Sequence, residues 1–305
     1  MERAPRSLNA LTLAGVGVRV AEHTLLQDID LTLRAGELVG LIGPSGAGKS
    51  TLIRVLLGNR AASSGAVTAD GGPLSGVGPV GYVPQDDALH TALTVRDALD
   101  YAAQLRLPGL DEAARAAKIS QVAAQLSLSE RLDLRIKRLS GGQRKRVSVA
   151  MELLTEPAVL ILDEPTSGLD PGMEAQMMAL FADLAAAGRV VLVATHAMAS
   201  IARCGMLVVL VGGRLAYAGP PEDALRYFEV SEHDAIFRAL KAHAPPVWAR
   251  RWLQAPRPAA RALPSPAAPA ATSPGSPPAA NASPASRESA EARLAALKAQ
   301  LGKGP

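Results

Sequence analysis

The feature that most constrains the fold of this chain is a glycine-rich loop between an aliphatic run and a helical pattern. Residues 38–42 are uniformly apolar, which is typical of a strand buried on both faces. A helical pattern extends to Leu57. Between the two lie nine loop residues, which are Gly43, Pro44, Ser45, Gly46, Ala47, Gly48, Lys49, Ser50 and Thr51. This order of strand, loop and helix is that of a P-loop. Similar alternation of short aliphatic runs and helices up to residue 244 predicts an α/β fold with a mainly parallel sheet.

The residue types of this loop predict a phosphate-binding site. Glycines let the backbone turn its N–H groups towards phosphates, and the positive end of the following helix adds to the attraction. Lys49 is expected to reach the β- and γ-phosphates, Ser50 to bind Mg²⁺ and Thr51 to make a further phosphate contact. Glycine-rich loops also form ordinary tight turns, but the match of all nine residues and both flanks favours nucleotide binding.

A second aliphatic run, residues 159–162, ends in two adjacent acids, Asp163 and Glu164, which Pro165 follows. Parallel strands deliver their functional side chains at their carboxyl ends. Asp163 is suited to bind Mg²⁺ through water, and Glu164 is suited to be the general base that activates the attacking water. The alternative, a pair of solvated turn acids, fits poorly with the four aliphatic residues that precede them.

A second polar, glycine-rich run stands ahead of this acidic strand, and it comprises Leu139, Ser140, Gly141, Gly142 and Gln143. Such a run makes poor core. It is well suited to present backbone N–H groups and a hydroxyl to a phosphate at the start of a helix. We therefore assign Ser140 to Gln143 to nucleotide binding.

The net charge of +4 is unevenly distributed along the 305 residues. Residues 250–305 carry 8 Lys and Arg against 2 Glu, whereas the first 249 residues carry 24 basic against 26 acidic side chains. The body of the chain therefore lacks the basic surface that duplex binding needs, and no nucleic-acid partner is expected.

The single cysteine, Cys204, excludes an intramolecular disulfide and a cysteine-cluster zinc site. This is consistent with a reducing compartment. Residues 1–9 lack the apolar core of a signal peptide, and no apolar run approaches the ~20 residues that span a bilayer. A cytoplasmic protein, or one peripheral to a membrane, is expected.

Composition divides the chain into three segments. Residues 8–244 are expected to form the main domain, with a helical subdomain at about 87–155 in which Thr94 and Asp97 cap one helix and residues 111–126 form another. Residues 245–286, rich in Pro and Ala, are expected to be an extended linker. Residues 287–302 are expected to form a short helix whose stripe of Leu294, Leu297 and Leu301 is either a docking surface or a solvated tail.

Five motifs in order give the first 244 residues a family resemblance. They are the P-loop, or Walker A run, at 43–51, Gln85 within Tyr82-Val83-Pro84-Gln85-Asp86, the LSGGQ signature at 139–143, the Walker B run at 159–164, and Asp170 with His196. In this order they resemble the ATP-binding subunit of an ABC transporter. The resemblance implies a RecA-like sheet core, an N-terminal antiparallel β subdomain and a helical signature subdomain. Order and spacing, rather than Gln85 or His196 taken singly, carry this resemblance.

The resemblance also implies residue roles. Gln85 would sense Mg²⁺ and the membrane partner, residues 167–170 would form the loop exchanged between subunits, and His196 would contact the γ-phosphate. Lys49, Ser50, Gln85, Asp163, Glu164 and His196 are expected to converge at one edge of the sheet. The signature would lie at the far tip of the helical subdomain, so two chains, identical or different, would close head to tail around two ATP molecules, each signature completing the other chain's site.

The sequences of the motifs are similar to those of the white/ABCG-like exporters, chiefly SGGQRKRVS at 140–148 and DEPTSGLD at 163–170. That branch implies an exporter whose six membrane helices follow the ATPase. Here these helices are expected on a separate permease chain, or in a part of the polypeptide outside these 305 residues. The ATPase would then lie at the inner face of the cell membrane.

The chain departs from the family upstream of the P-loop, where many members stack an aromatic ring on adenine. Residues 16–23 contain no Tyr, Phe or Trp. Modest base selectivity is therefore expected. The alternative function is a soluble ABC-type ATPase of repair, translation or iron–sulfur assembly. Three features disfavour several versions of it: the short spacing between Lys49 and Ser140, the single set of motifs, and a single cysteine where a zinc-bearing repair ATPase needs several. A catalytically dead scaffold subunit conflicts with the presence of Lys49, Glu164 and His196.

Overall fold

Ten strands form two sheets in residues 8–255, the part of the chain that the computed structural model describes. A six-stranded sheet has the order β10-β9-β3-β8-β7-β6, and a four-stranded sheet has the order β2-β1-β4-β5. The strands are β1 (Ala10–Val20), β2 (His23–Arg34), β3 (Leu38–Ile42), β4 (Ser64–Ala69), β5 (Gly72–Pro73), β6 (Val80–Val83), β7 (Val159–Asp163), β8 (Val190–Ala194), β9 (Met206–Val211) and β10 (Arg214–Gly219).

The six-stranded sheet is parallel except at one edge, where β10 runs antiparallel to β9. Every residue of β3 and β8 is buried, as is all of β7 apart from Asp163. Alternate residues belong to different cores: Val159 and Ile161 pack towards the four-stranded sheet, while Leu160 and Leu162 pack against helices. Layers on both faces explain why these strands read as continuous aliphatic runs. The predicted α/β fold with a mainly parallel sheet is confirmed.

The four-stranded sheet is antiparallel and is built around the long pair β1 and β2. The apolar residues of these two strands alternate with exposed ones and belong to the same core as the first helix. The N-terminal antiparallel β subdomain implied by the motifs is therefore present.

Eight α-helices complete the described region. They are α1 (Lys49–Leu56), α2 (Val95–Arg106), α3 (Glu112–Gln125), α4 (Gly141–Leu153), α5 (Pro171–Ala186), α6 (Pro221–Phe228), α7 (Ile236–Leu240) and α8 (Pro245–Gln254). The first helix packs on β2, whereas α2, α3 and α4 pack on one another. Thr94 and Asp97 form the capping box predicted at the start of α2. Within residues 8–255, none of the helices has the length and apolar character that crossing a membrane requires.

The predicted linker is wrong for its first ten residues, because Pro245–Gln254 forms α8. Trp248 of α8 is 2% exposed, lies 5.2 Å from the Phe228 ring by centroids and donates from Nε1 to the Leu240 carbonyl at 3.2 Å. The two prolines of the helix stand in its first turn, where their missing N–H groups cost nothing. The rest of the predicted linker, 256–286, and the predicted helix at 287–302 lie outside the described residues.

Replacement of Trp248 should test whether α8 is an integral part of the domain. Trp248→Ala removes a fully buried aromatic side chain and is expected to lower the free energy of unfolding by about 3–5 kcal/mol. Urea unfolding followed by far-UV circular dichroism measures it. The matched control is Leu253→Ala on the same helix, because Leu253 is 71% exposed and its loss should change stability by no more than about 0.5 kcal/mol. Equal stability of the two variants would contradict this assignment.

Candidate functional site

An open cleft of about 480 Å³ lies at the carboxyl edge of the parallel sheet. Residues 45–51 of the glycine-rich loop line one side of it. Residues at the carboxyl ends of three neighbouring strands line the other: Gln85 after β6, Asp163 and Glu164 at the end of β7, and His196 after β8. The six side chains expected to converge, those of Lys49, Ser50, Gln85, Asp163, Glu164 and His196, therefore line one cleft.

The glycine-rich loop leads from β3 into α1, whose first residue is Lys49. Gly48, at the N-cap, has φ of 103°, a backbone region that L side chains rarely adopt, and an added Cβ would meet Leu26 Cδ2 at 2.8 Å. Lys49 Nζ donates to the Gly43 carbonyl at 2.7 Å and to that of Pro44 at 3.4 Å. The loop thus surrounds its own ammonium group at a helix N-terminus, an arrangement suited to phosphate.

Asp163 and Glu164 carry the negative charge of the cleft. Burial raises the pKa of Asp163, Glu164 raises it further, and Lys49 opposes the rise. Burial likewise lowers the pKa of Lys49, while Glu164 and Asp163 act in the opposite direction. Two carboxylates and one ammonium in a partly desolvated cleft make a polarised site that can hold a cation beside phosphates.

Glu164 has a strained backbone, with φ of 46°. This conformation costs of order 1–3 kcal/mol for a residue other than glycine. The backbone holds it there, because the Glu164 N–H donates to the Ala194 carbonyl of β8 at 2.8 Å and its own carbonyl accepts from Ser167 at 3.1 Å. The carboxylate is thereby directed towards His196, whose Nε2 lies 3.0 Å from Glu164 Oε1. A carboxylate and an imidazole at this distance are in hydrogen-bond reach of each other, a geometry used for proton transfer.

Other groups at the cleft were not predicted from the sequence. Burial and the neighbouring Asp163 raise the pKa of Tyr82 of β6. Thr24, Leu25, Gly212 and Gly213 also line the cleft. The glycine pair forms the turn between β9 and β10, and the Gly213 N–H donates to the Ala47 carbonyl at 3.0 Å. The glycine pair is a turn signal in the sequence, but its proximity to the P-loop arises only from sheet order.

The signature residues and Asp170 are not among the described residues that line this cleft. Ser140 is the N-cap of α4: its hydroxyl accepts from the Gln143 N–H at 3.3 Å, and its own N–H donates to Gln143 Oε1 at 3.1 Å. Gly142 lies against α5: an added Cβ would be 2.1 Å from Met173 Cε, so a larger residue would require the flexible end of the Met173 side chain to move. Asp170 caps α5 by accepting from the Met173 N–H at 3.0 Å. Both runs therefore stand at helix N-termini outside the chain's own cleft.

Comparison with known proteins identifies the family. The family model described as "ABC transporter" matches residues 26–167. The Nod factor export ATP-binding protein I of Cupriavidus metallidurans is 34% identical over 221 residues, which are 70% of this chain and 72% of that protein. A solved structure entitled "Structure of ATP binding subunit of ABC transporter" has a TM-score of 0.64 and 28% identity, over 76% of this chain and 100% of its own. The chain therefore belongs to the ATP-binding subunits and domains of ABC transporters.

A longer relative extends beyond the matched region. The ABC transporter ATP-binding/permease protein Rv1747 of Mycobacterium tuberculosis is 48% identical over 207 residues, which are 66% of this chain. The chain spans about a quarter of the length of that relative, 24%. Family membership implies that the chain binds nucleotide and is an ATPase. The alternative of a non-transport ATPase is not supported, because these relatives are named as transport proteins.

The lining of the cleft generates a prediction on base selectivity. No Phe, Tyr or Trp among residues 8–255 lines it, so stacking on a base, worth about 1–3 kcal/mol, is not available there. We expect GTP to be hydrolysed at a rate comparable to that of ATP in steady-state phosphate-release assays. The same assays on Glu164→Gln would control for a contaminating nucleotidase. A preference for ATP above about 100-fold would contradict the prediction.

Proposed function

We propose that this chain binds Mg²⁺ and ATP in the cleft, hydrolyses ATP with Glu164 as general base, and powers an exporter through ATP-driven dimerisation. The observation that carries the proposal is the convergence of Lys49, Asp163, Glu164 and His196 in one cleft, with Glu164 and His196 3.0 Å apart.

The glycine-rich loop is proposed to bind the phosphates of ATP. The backbone N–H groups of Gly43 to Thr51 and the N-terminus of α1 would surround them. Lys49 Nζ would exchange its carbonyl partners, Gly43 and Pro44, for β- and γ-phosphate oxygens, which are stronger partners for an ammonium group. Thr51, which lines the same cleft, would add a hydroxyl contact.

The donor groups of the cleft fit Mg²⁺. Ser50, Gln85 and Asp163 offer oxygen atoms, the ligand type that this ion prefers, and the neighbouring Glu164 adds negative charge. No three His, Cys, Asp or Glu side chains within residues 8–255 are grouped to hold a metal alone. Mg²⁺ typically combines one or two carboxylates with substrate phosphates, which matches this set. When bound, the ion would neutralise charge on the phosphates.

Glu164, Gln85 and His196 are proposed to carry out the chemical step. The Glu164 carboxylate would accept a proton from the attacking water, with Gln85 helping to orient that water. His196, which is half exposed at the mouth of the cleft, would hold the γ-phosphate oxygens and keep Glu164 in position through their contact. The left-handed backbone of Glu164 supports this role, because strain of this kind is concentrated at functional sites.

A second chain is proposed to complete the site. Ser140, Gly141, Gly142 and Gln143 present a capped helix N-terminus suited to a phosphate, yet they do not line their own chain's cleft. Head-to-tail closure of two chains would place each signature, together with Asp170 of the exchanged loop, against the other chain's nucleotide. Closure on ATP and opening after hydrolysis would then move a membrane partner.

The membrane partner is proposed to be a permease subunit or domain, with the ATPase at the cytoplasmic face of the membrane. The name of Rv1747 joins ATP-binding and permease functions, and that of the Cupriavidus relative includes export. The similarity of the motif sequences to those of ABCG-like exporters also favours export. We place the ATPase domain at residues 8–244 together with α8, with the helical subdomain at about 87–155 facing the permease.

Glu164→Gln tests the base assignment. The amide cannot accept the proton of the attacking water, so kcat is expected to fall by about 10²–10⁴-fold while nucleotide binding is retained. Phosphate release and binding of a fluorescent ATP analogue measure the two effects. Glu112→Gln, at an exposed position of α3, is the control and should leave both unchanged. Full activity of Glu164→Gln would refute this assignment.

The dimer is tested by mixing two inactive variants of the full chain. Lys49→Ala disables one chain's P-loop and Ser140→Arg disables the other chain's signature. Mixing them should restore part of the activity, because one of the two sites in each mixed dimer then has both intact parts. Size-exclusion chromatography of Glu164→Gln with Mg·ATP should also show a dimer. No restored activity and only monomer would exclude the homodimer, leaving a heterodimer with another ATPase subunit.

A further inference from the structure

Lys145 of α4 is the one charged residue that is buried within residues 8–255, with 6% of its surface exposed. It lies on the helix that begins at the signature, yet its ammonium group contacts the loop after β6. Nζ donates to the Pro84 carbonyl at 3.3 Å and the Gln85 carbonyl at 3.0 Å, and it forms an ion pair with Asp87 Oδ1 at 2.8 Å. These three contacts match the three donors of an ammonium group.

Ser148, one turn along the same helix, adds a second link to the loop. It is also buried, and its hydroxyl donates to Asp87 Oδ1 at 2.8 Å. The Asp87 side chain is 24% exposed. Two residues of α4 thus hold a short loop segment by four polar contacts. In a partly desolvated setting such contacts are strong, and leaving one partner unpaired is costly.

The held segment includes Gln85, whose side chain lines the nucleotide cleft. From this geometry we infer that Lys145 is a positioning residue: it holds the Gln85 backbone so that the side chain faces the cleft, and it couples that position to the helix that carries the signature. The inference rests on the proposed role of Gln85 in the cleft. Nucleotide contact at Gln85 and the orientation of α4 would then depend on each other through one rigid connection.

A neutral side chain could not replace Lys145 here. Two backbone carbonyls and a carboxylate converge on Nζ, so a methionine of similar length would leave the Pro84 and Gln85 carbonyls without this donor and Asp87 without its ion-pair partner. Of the four polar contacts to α4, the loop would keep only the one between Ser148 and Asp87, whereas β6 and the body of α4 keep their own backbone hydrogen bonds. The expected defect is therefore in the loop.

A double-mutant cycle on the full chain tests this inference. Lys145→Met should lower kcat by about 10- to 100-fold, a typical loss for a displaced catalytic group, with little change in the KM for ATP. Gln85→Ala should lower kcat as well. If Lys145 acts through Gln85, adding Lys145→Met to Gln85→Ala should have no further effect on kcat. Losses that multiply in the double variant would overturn the inference.

Hydrogen exchange supplies a readout that does not depend on hydrolysis. Without nucleotide, the amide proton of Leu93, which donates to the His90 carbonyl at the end of this loop, should exchange faster in Lys145→Met than in the wild type. The matched control is Lys118→Met, which removes an ion pair with Glu156 in the helical region but leaves this loop untouched. Unchanged exchange in Lys145→Met would overturn the inference that Lys145 holds this loop, even if Glu164→Gln behaves as proposed. Faster exchange would support the inference that Lys145 holds this loop, even if the assignment of Glu164 as general base failed.

If Lys145→Met does not fold, Asp87→Asn takes its place in both experiments. The amide keeps an acceptor for Lys145 and Ser148 but removes the charge. It should give a smaller fall in kcat and a smaller rise in exchange than Lys145→Met. In the Gln85→Ala background, Asp87→Asn should cause no further fall in kcat. Wild-type values in Asp87→Asn would overturn the inference.

Discussion

The burial of aliphatic strands on both faces is the constraint on which the rest of this structure depends. Strands β3, β7 and β8 are buried almost throughout and pair in parallel, so their carboxyl ends meet at one edge. Parallel pairing needs helical crossovers on the faces, which is why α1 and α5 cover the sheet on opposite sides. Gln85, Asp163, Glu164 and His196 then stand at or just after the ends of neighbouring strands, and the P-loop follows β3.

Charged side chains are partly buried at this edge of the sheet, which is energetically unfavourable. Asp163, Glu164 and Lys49 are partly desolvated. Burial raises the pKa of Asp163 and lowers that of Lys49, which favours the neutral form of each. The backbone of Glu164 adds strain. Arrangements of this kind persist where the surrounding packing over-determines them. Here β7 and β8, joined through the Glu164 N–H and the Ala194 carbonyl, supply that support.

Much of the fold was predictable because its signals are local. The strand at 38–42, the helix after the P-loop, the Thr94 cap and the helix after Asp111 all occur as predicted, since periodicity and capping are set by neighbouring residues. The linker prediction failed at 245–254 because Pro and Ala composition was taken to exclude packing. Trp248 and the aromatic side chains that it meets in α6, Tyr227 and Phe228, stabilise α8 instead.

The sequence by itself determined the family, through five motifs in order, and with it the residue types that can bind phosphate, Mg²⁺ and water. Only the tertiary structure decided which of these residues share a cleft and which do not. It brought Gln85, Glu164 and His196 together, and it left Ser140 and Asp170 as helix caps elsewhere. It also revealed the role of Lys145. From sequence alone, a lysine on a helix is predicted to be solvent-exposed, and only the fold shows the loop that it contacts. Contacts of this kind depend on packing between elements about 60 residues apart, which no local pattern encodes.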